Sequence, residues 1–232
     1  MQGISGVFQG AFMVHVFKPA VSLLMLSLLA GCAVKEYSAQ LSDRVTAREG
    51  EPVSYLVGSI GPDSVMPAPQ QYQRLLFRQR GSEWGAAAAY TNHGVRQTPQ
   101  DIEEGQGRAS VFVMALKPGD YELYDFQFFS LVNTGYGTYS TSQMAKEKFV
   151  VPLRLQPGKA YYIGEYRSRC ITSQACLFIQ RDRQARDEGI ARAQVPQLPS
   201  LQYLQLPLER AKPFILPEKG DIQEQTKDRA TP

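Results

Sequence analysis

From Pro52 onward, short runs of β-branched and aromatic residues alternate with clusters of Gly, Pro, Asn, Asp and Ser. Apolar and polar positions within the runs follow a period near two, which predicts half-buried strands. Strands are expected near Pro52 to Ile60, Tyr72 to Arg78, Ala109 to Leu116, Tyr121 to Leu131, Lys148 to Leu155, Ala160 to Tyr166 and Cys176 to Arg181. No long helical period separates them. The stretch from Gly81 to Gly107 holds the alanine run Ala86 to Ala89, which suits a short helix or a strand alike, and Asn133 to Lys146 reads as a loop. After Arg181 the run RDRQARDEGIARAQ sets Ala185, Ile190 and Ala193 among charges and predicts a helix weakened by Gly189 and ended by Pro196 and Pro199. The chain beyond, with Pro207, Pro213 and Pro217, is expected to be extended, and Glu218 to Pro232 disordered.

Two turns share one device. LKPGDY, from Leu116 to Tyr121, and LQPGKAY, from Leu155 to Tyr161, each put Pro-Gly between strand-like runs. Proline presets φ for the first central position of a type II turn, and glycine supplies the positive φ of the second. Each is expected to reverse the chain between neighbouring antiparallel strands.

The N-terminus has a different texture. Val21 to Ala30, VSLLMLSLLA, is ten residues of near-continuous apolar character, preceded by Lys18 and followed by small residues. That is the layout of a secretory signal, and it is too short for a spanning helix of about 20 residues. The segment Leu29-Ala30-Gly31-Cys32 resembles the lipobox of bacterial lipoproteins. The resemblance implies cleavage before Cys32, a diacylglycerol on its thiol and acylation of the new amino terminus; two or three chains hold a protein where one holds only marginally. Ala33 after the cysteine implies sorting to the outer membrane, facing the periplasm, because Asp there favours retention in the inner membrane. Met1 to Phe12 carries no basic residue, so a start at Met13 gives the more compact signal.

VMALKPGDYELYDF, Val113 to Phe126, is similar to a hairpin of carboxypeptidase regulatory-like and transthyretin-like sandwich domains. FVVPLRLQPGKAYYIGEY resembles a hairpin of small envelope lipoproteins without an assigned role. The expected fold is therefore mainly β: an immunoglobulin-like or transthyretin-like antiparallel sandwich of about seven strands, with a short C-terminal helix and an extended tail. The expected organisation is a signal over 1–31, a lipidated N-terminus and polar tether over 32–50, with a short helix at Ser42 to Arg48 as its candidate element, the sandwich over 51–181, helix and proline-rich extension over 182–217, and tail over 218–232.

With Cys32 assigned to lipid, Cys170 and Cys176 remain as a pair flanking five residues between strand-like runs. In an oxidising envelope they read as a disulfide, with two reduced thiols the alternative; a closed zinc site lacks ligands. After Gly31 the chain carries 24 Lys and Arg against 22 Asp and Glu, a net charge of +2 with the signs interspersed. No basic block of the kind nucleic acid requires is present.

The inventory for catalysis is thin. His15 falls in the signal and His93 stands alone, and no G-x-S-x-G elbow, phosphate loop or metal-ligand spacing occurs. Carboxylates cluster at Asp101, Glu103 and Glu104 and again at Asp182, Asp187 and Glu188. A hydrolase needs two of them to face one cleft, whereas charged loop residues are ordinarily solvated. No catalytic, metal or cofactor residue is assigned. Tyr136 and Tyr139, set among Gly and Ser, and Trp84, with Tyr90 and His93 near it in sequence, are the candidates for a ligand or partner loop; the competing assignment is a plain hairpin tip and a core tryptophan. The sequence thus favours a lipid-anchored, non-enzymatic structural or binding module of the cell envelope, attached to the membrane through its lipid, with an envelope protein as the candidate partner. The alternatives are an accessory of an assembly or secretion system and a carbohydrate or peptidoglycan hydrolase.

Overall fold

The computed structural model describes residues 34–63, 72–93, 96–105, 107–133, 135–172 and 175–218. Cys32, the signal and the tail from residue 219 lie outside the described residues. The first sheet contains β1 (Val34–Lys35), β2 (Ala39–Leu41), β4 (Tyr72–Gln79), β5 (Gly85–His93), β6 (Arg96–Gln97), β9 (Gly119–Asn133), β10 (Thr138–Met144) and β11 (Val151–Leu155). The second contains β3 (Ser54–Pro62), β7 (Ile102–Glu104), β8 (Gly107–Leu116), β12 (Ala160–Thr172), β13 (Ala175–Arg181), β14 (Leu201–Tyr203) and β15 (Ile215–Pro217). One helix, α1 (Gln184–Gln194), and a 3-10 turn (Leu208–Ala211) complete the described elements.

The chain is a β-sandwich with a helix on one outer face. Alternating side chains explain its main core: Leu75 and Phe77 of β4, Ala86, Ala88 and Tyr90 of β5 and Phe126 and Phe128 of β9 meet Leu56 and Ile60 of β3, Phe112 and Met114 of β8 and Phe178 of β13. Phe128 stacks on Phe178 at 4.7 Å between ring centroids. A second core forms on the other side of the second sheet, where Val57, Val111, Ala160 and Tyr162 pack against Ala191 of α1 and Leu198. Strand β3 is therefore covered on both faces, which is why YLVGSIG reads as a nearly unbroken apolar and small-residue run rather than an alternating one. Gly58 leaves no room for a side chain: a Cβ there would stand 2.6 Å from the Gly164 carbonyl oxygen of β12 and 2.6 Å from the Phe112 ring of β8.

All seven expected strands form, several of them longer than expected. The alanine run becomes β5, and the expected loop from Asn133 to Lys146 contains β10, paired with β9 from Thr138↔Asn133 to Met144↔Gln127. Pairing is mixed rather than purely antiparallel, because β12 runs parallel to β3 and β14, and β15 runs parallel to β13. The proline-rich extension thus supplies two short strands to the second sheet.

The two Pro-Gly turns do something other than close hairpins. Pro118-Gly119 carries the chain from β8 in the second sheet to β9 in the first, and Pro157-Gly158 carries it from β11 in the first to β12 in the second. They are corners between sheets. Gly158 has φ of 70°, and the Lys159 N–H donates to the Gln156 carbonyl at 3.3 Å, as a type II turn requires. At each corner a downstream tyrosine clasps the backbone. The Tyr121 hydroxyl donates to the Lys117 carbonyl at 2.9 Å, and the Tyr161 hydroxyl accepts from the Gln156 N–H at 3.3 Å.

The stretch read as a tether is also part of the fold. Strand β1 pairs with β6, β2 pairs with β5, Thr46 bridges to Leu116, and Val45 is fully buried. Ala39 and Leu41 pack against the main core, while Gln40 points to the outer face of the first sheet. A three-residue alternation is too short to announce a strand in a polar context.

Cys170 and Cys176 are direct cross-strand partners on β12 and β13 and are joined by a disulfide, with their Cα atoms 4.0 Å apart.

Candidate binding groove

Among the described residues no helix covers the outer face of the first sheet, and there register places side chains in rows. Thr91, Tyr72 and Phe129 form one row across β5, β4 and β9; Ala89, Arg74 and Gln127 form the next. The segment running from β1 into β2 builds the opposite wall with Glu36, Tyr37 and Gln40. The result is a cavity of about 1160 Å³, with His93, Arg96 and Leu131 also on its lining.

Arg74 is its distinctive group. The guanidinium lies over the Tyr72 ring, 4.4 Å from the centroid, and its buried Nε has no hydrogen-bond partner among the described residues. No carboxylate among them comes within ion-pairing distance. Burial holds the Arg74 pKa below the usual arginine value, with Glu36 pulling the other way. At the rim Arg96 pairs with Glu36 at 3.6 Å, and the Tyr72 hydroxyl donates to Gln40 Oε1 at 3.4 Å.

The expected aromatic candidates do not gather here. Trp84 sits on the turn between β4 and β5, half exposed, with the Arg44 guanidinium 5.5 Å from its ring centroid; it is not a core residue. Tyr90 is buried in the main core, whereas His93 lines the groove. Tyr136 and Tyr139 stand on the β9–β10 hairpin, the first fully exposed and the second half exposed. The groove residues Arg74, Tyr72 and Gln127 were not singled out in the sequence. The alternation of YQRLLFR did place Tyr72 and Arg74 together on one face, but the wall that makes that face concave comes from residues read as tether.

The carboxylates meet arginines and backbone donors. Under α1, Asp187 accepts from Ser59 Oγ at 2.6 Å, from the Tyr162 hydroxyl at 2.8 Å and from Arg186 Nε at 2.8 Å. Arg186 Nη2 also donates to Glu165 Oε1 at 2.8 Å, as does Arg167 Nε at 2.7 Å, and Arg186 reaches Glu104. Glu165 and Arg167 are almost wholly buried, and Glu165 Oε2 has no hydrogen-bond partner among the described residues. Burial pushes the Asp187 carboxyl up, against the lowering by Ser59, Arg186 and Tyr162. Glu104 of one sequence cluster and Asp187 of the other thus share Arg186, while the remaining members lie in separate local contacts. Asp101 accepts from the Val111 N–H at 2.9 Å, Glu103 pairs with Arg108, Asp182 accepts from the Gln184 N–H, and Glu188 pairs with Arg192 one turn along the helix. The contacts of Asp187 and Arg186 with Ser59, Tyr162, Glu165 and Glu104 fasten the helix to the second sheet.

Among the described residues no three His, Cys, Asp or Glu side chains converge as a metal site would require, and no helix is long and apolar enough to cross a membrane. The chain matches no family model, no curated protein and no solved structure.

Proposed function

We propose that the protein is a lipid-anchored, non-enzymatic binding module of a bacterial cell envelope, held by acylated Cys32 on the periplasmic side of the outer membrane, with the groove around Arg74 as its ligand site. The observation that carries the anchor is Leu29-Ala30-Gly31-Cys32 closing the apolar run from Val21. A single residue separates Cys32 from β1, a chain reach of about 7 Å, so a lipid at Cys32 leaves almost no free tether. Glu36 and Tyr37, on the groove wall, follow within five positions. A site of this kind samples the layer next to the membrane. Binding without chemistry suits a groove whose ionisable groups are two arginines, one glutamate, one histidine and two tyrosines, with the glutamate paired to Arg96.

Fractionation tests the anchor. The wild-type protein partitions with membranes and is released only by detergent, and Cys32→Ser shifts it away from the membrane fraction. Membrane partition unchanged in Cys32→Ser refutes the anchor.

A second reading, as an accessory to an envelope assembly, is favoured by one feature. Strand β10 ends the first sheet, its side chains are mostly exposed, and Tyr136 and Tyr139 project beside it. A sheet edge with adjacent aromatics suits strand addition by a partner. A photoreactive group at Tyr136 capturing one envelope protein in intact cells supports this reading.

A further inference from the structure

We propose that the groove takes an acidic sugar unit, with the carboxylate or phosphate of that unit seated on Arg74. The inference rests on the groove being the binding site and adds what it binds.

The groove sets two guanidinium donors against a single carboxylate. Arg74 brings a buried Nε–H with no partner among the described residues, and the two terminal nitrogens of the same planar fork. A guanidinium without a carboxylate partner takes an oxyanion on its terminal nitrogens, where two parallel charge-assisted bonds match the fork. Gln40, whose carbonyl oxygen already faces the Tyr72 hydroxyl, keeps its amino group as a donor. Formal charge on the lining favours an anion too: Arg74 and Arg96 stand against Glu36 alone. No aspartate shares the lining.

The body of the ligand follows from the walls. Tyr72 and Phe129 are direct neighbours across β4 and β9, Tyr37 on the lining is largely exposed, and Gln40 and Gln127 share the lining with them. Ring faces beside planar amides suit a saccharide, which presents apolar C–H faces and hydroxyl edges together. A long alkyl chain fits less well, because polar side chains interrupt the apolar ones in each row. The volume, about 1160 Å³, exceeds the roughly 300 to 1,000 Å³ of ordinary small-ligand sites. It accommodates more than one such unit.

The test is calorimetric titration of the detergent-solubilised mature protein with glucuronate, glucose 6-phosphate and neutral glucose. Saturable binding of either acid, with glucose at least tenfold weaker, is the expected result, and the tighter of the two acids names the head group. In Arg74→Gln that binding weakens tenfold or more while the thermal melt is unchanged. Should that variant fold poorly, Arg74→Lys, which keeps the charge and loses the fork, is expected to weaken binding several-fold. Equal binding of glucose and the acids overturns the anionic assignment but leaves the groove as a binding site. Acid binding that survives the loss of Arg74 places the ligand elsewhere and overturns the proposal. No binding by any of the three sugars overturns the acidic-sugar assignment. In that case, protection of Tyr37 and Tyr72 from chemical nitration by an envelope extract decides whether the groove binds anything.

Discussion

Arg167 is the largest fully buried side chain of the domain, and its charge is met by Glu165 at 2.7 Å. Two ions removed from water cost more than they return unless their contacts are complete. Here each ion keeps one atom unmatched: Arg186 shares Glu165 and Arg167 Nη1 donates to the Pro62 carbonyl at 3.0 Å, but Glu165 Oε2 has no hydrogen-bond partner among the described residues and Arg167 Nη2 stays 3.7 Å from Glu104, too far for a hydrogen bond. Removing one partner strands the other, so Arg167→Met should lower stability by about 3 to 5 kcal/mol, read from urea denaturation. The surrounding acids set opposite pH trends. Burial tends to raise Asp63, but Arg169 and Arg181 outweigh it; burial likewise opposes Arg186, Arg167 and Arg183 at Glu104, and both pKa values end below the usual range. Their stabilisation is present above the ordinary values of 3.8 and 4.5 and is lost as pH falls through the depressed ones. Asp187, raised chiefly by burial, works the other way. Its stabilisation is present below 3.8 and fades as pH rises through the elevated value. The urea midpoint should therefore fall between about pH 5 and 3, and fall more steeply in Asp187→Asn, where the opposing group is gone. Equal slopes in the two proteins would contradict this assignment.

At the scale of elements, the corners between sheets carry a specific claim. The Tyr121 ring is in the core and its hydroxyl, with a pKa pushed up to about 12 by burial, holds the Lys117 carbonyl. Tyr121→Phe keeps the ring and removes the clasp. The expected loss is about 1 kcal/mol, measured as a shift of the thermal midpoint. An unchanged midpoint would show that the corner is held by Pro118 and Gly119 without it. Much of this level was legible in the sequence: period-two runs announced the seven main strands, and Gly189 did not prevent α1. The two Pro-Gly motifs announced turns, yet local turn chemistry is the same whether the next strand pairs with its predecessor or crosses to the facing sheet. That choice is made by long-range pairing, Phe77↔Leu123 in one sheet and Leu56↔Met114 in the other. Strand β10 escaped notice because TYSTSQM has no apolar face; backbone pairing with β9 and a reciprocal pair of bonds between the Gln143 amide and the Cys176 backbone, both 2.9 Å, hold it in place.

For the whole molecule, the groove depends on a segment whose role only the tertiary structure reveals. Residues 36–41 read as polar linker, and their alternation is three residues long; once β2 adds to β5, they become a wall, and a flat sheet face becomes a concave one. With the lipid proposed at Cys32, the same docking leaves one residue between anchor and domain, which would keep the candidate site close to the membrane layer. Both halves of the account meet at Cys32. The measurement that tests them most directly is the mass of the N-terminal peptide from membrane-extracted protein. The mature chain is expected to begin at Cys32 and to carry a diacylglycerol thioether with an acylated amino terminus. A chain that retains residues ahead of Cys32, or begins there with an unmodified thiol, would contradict it.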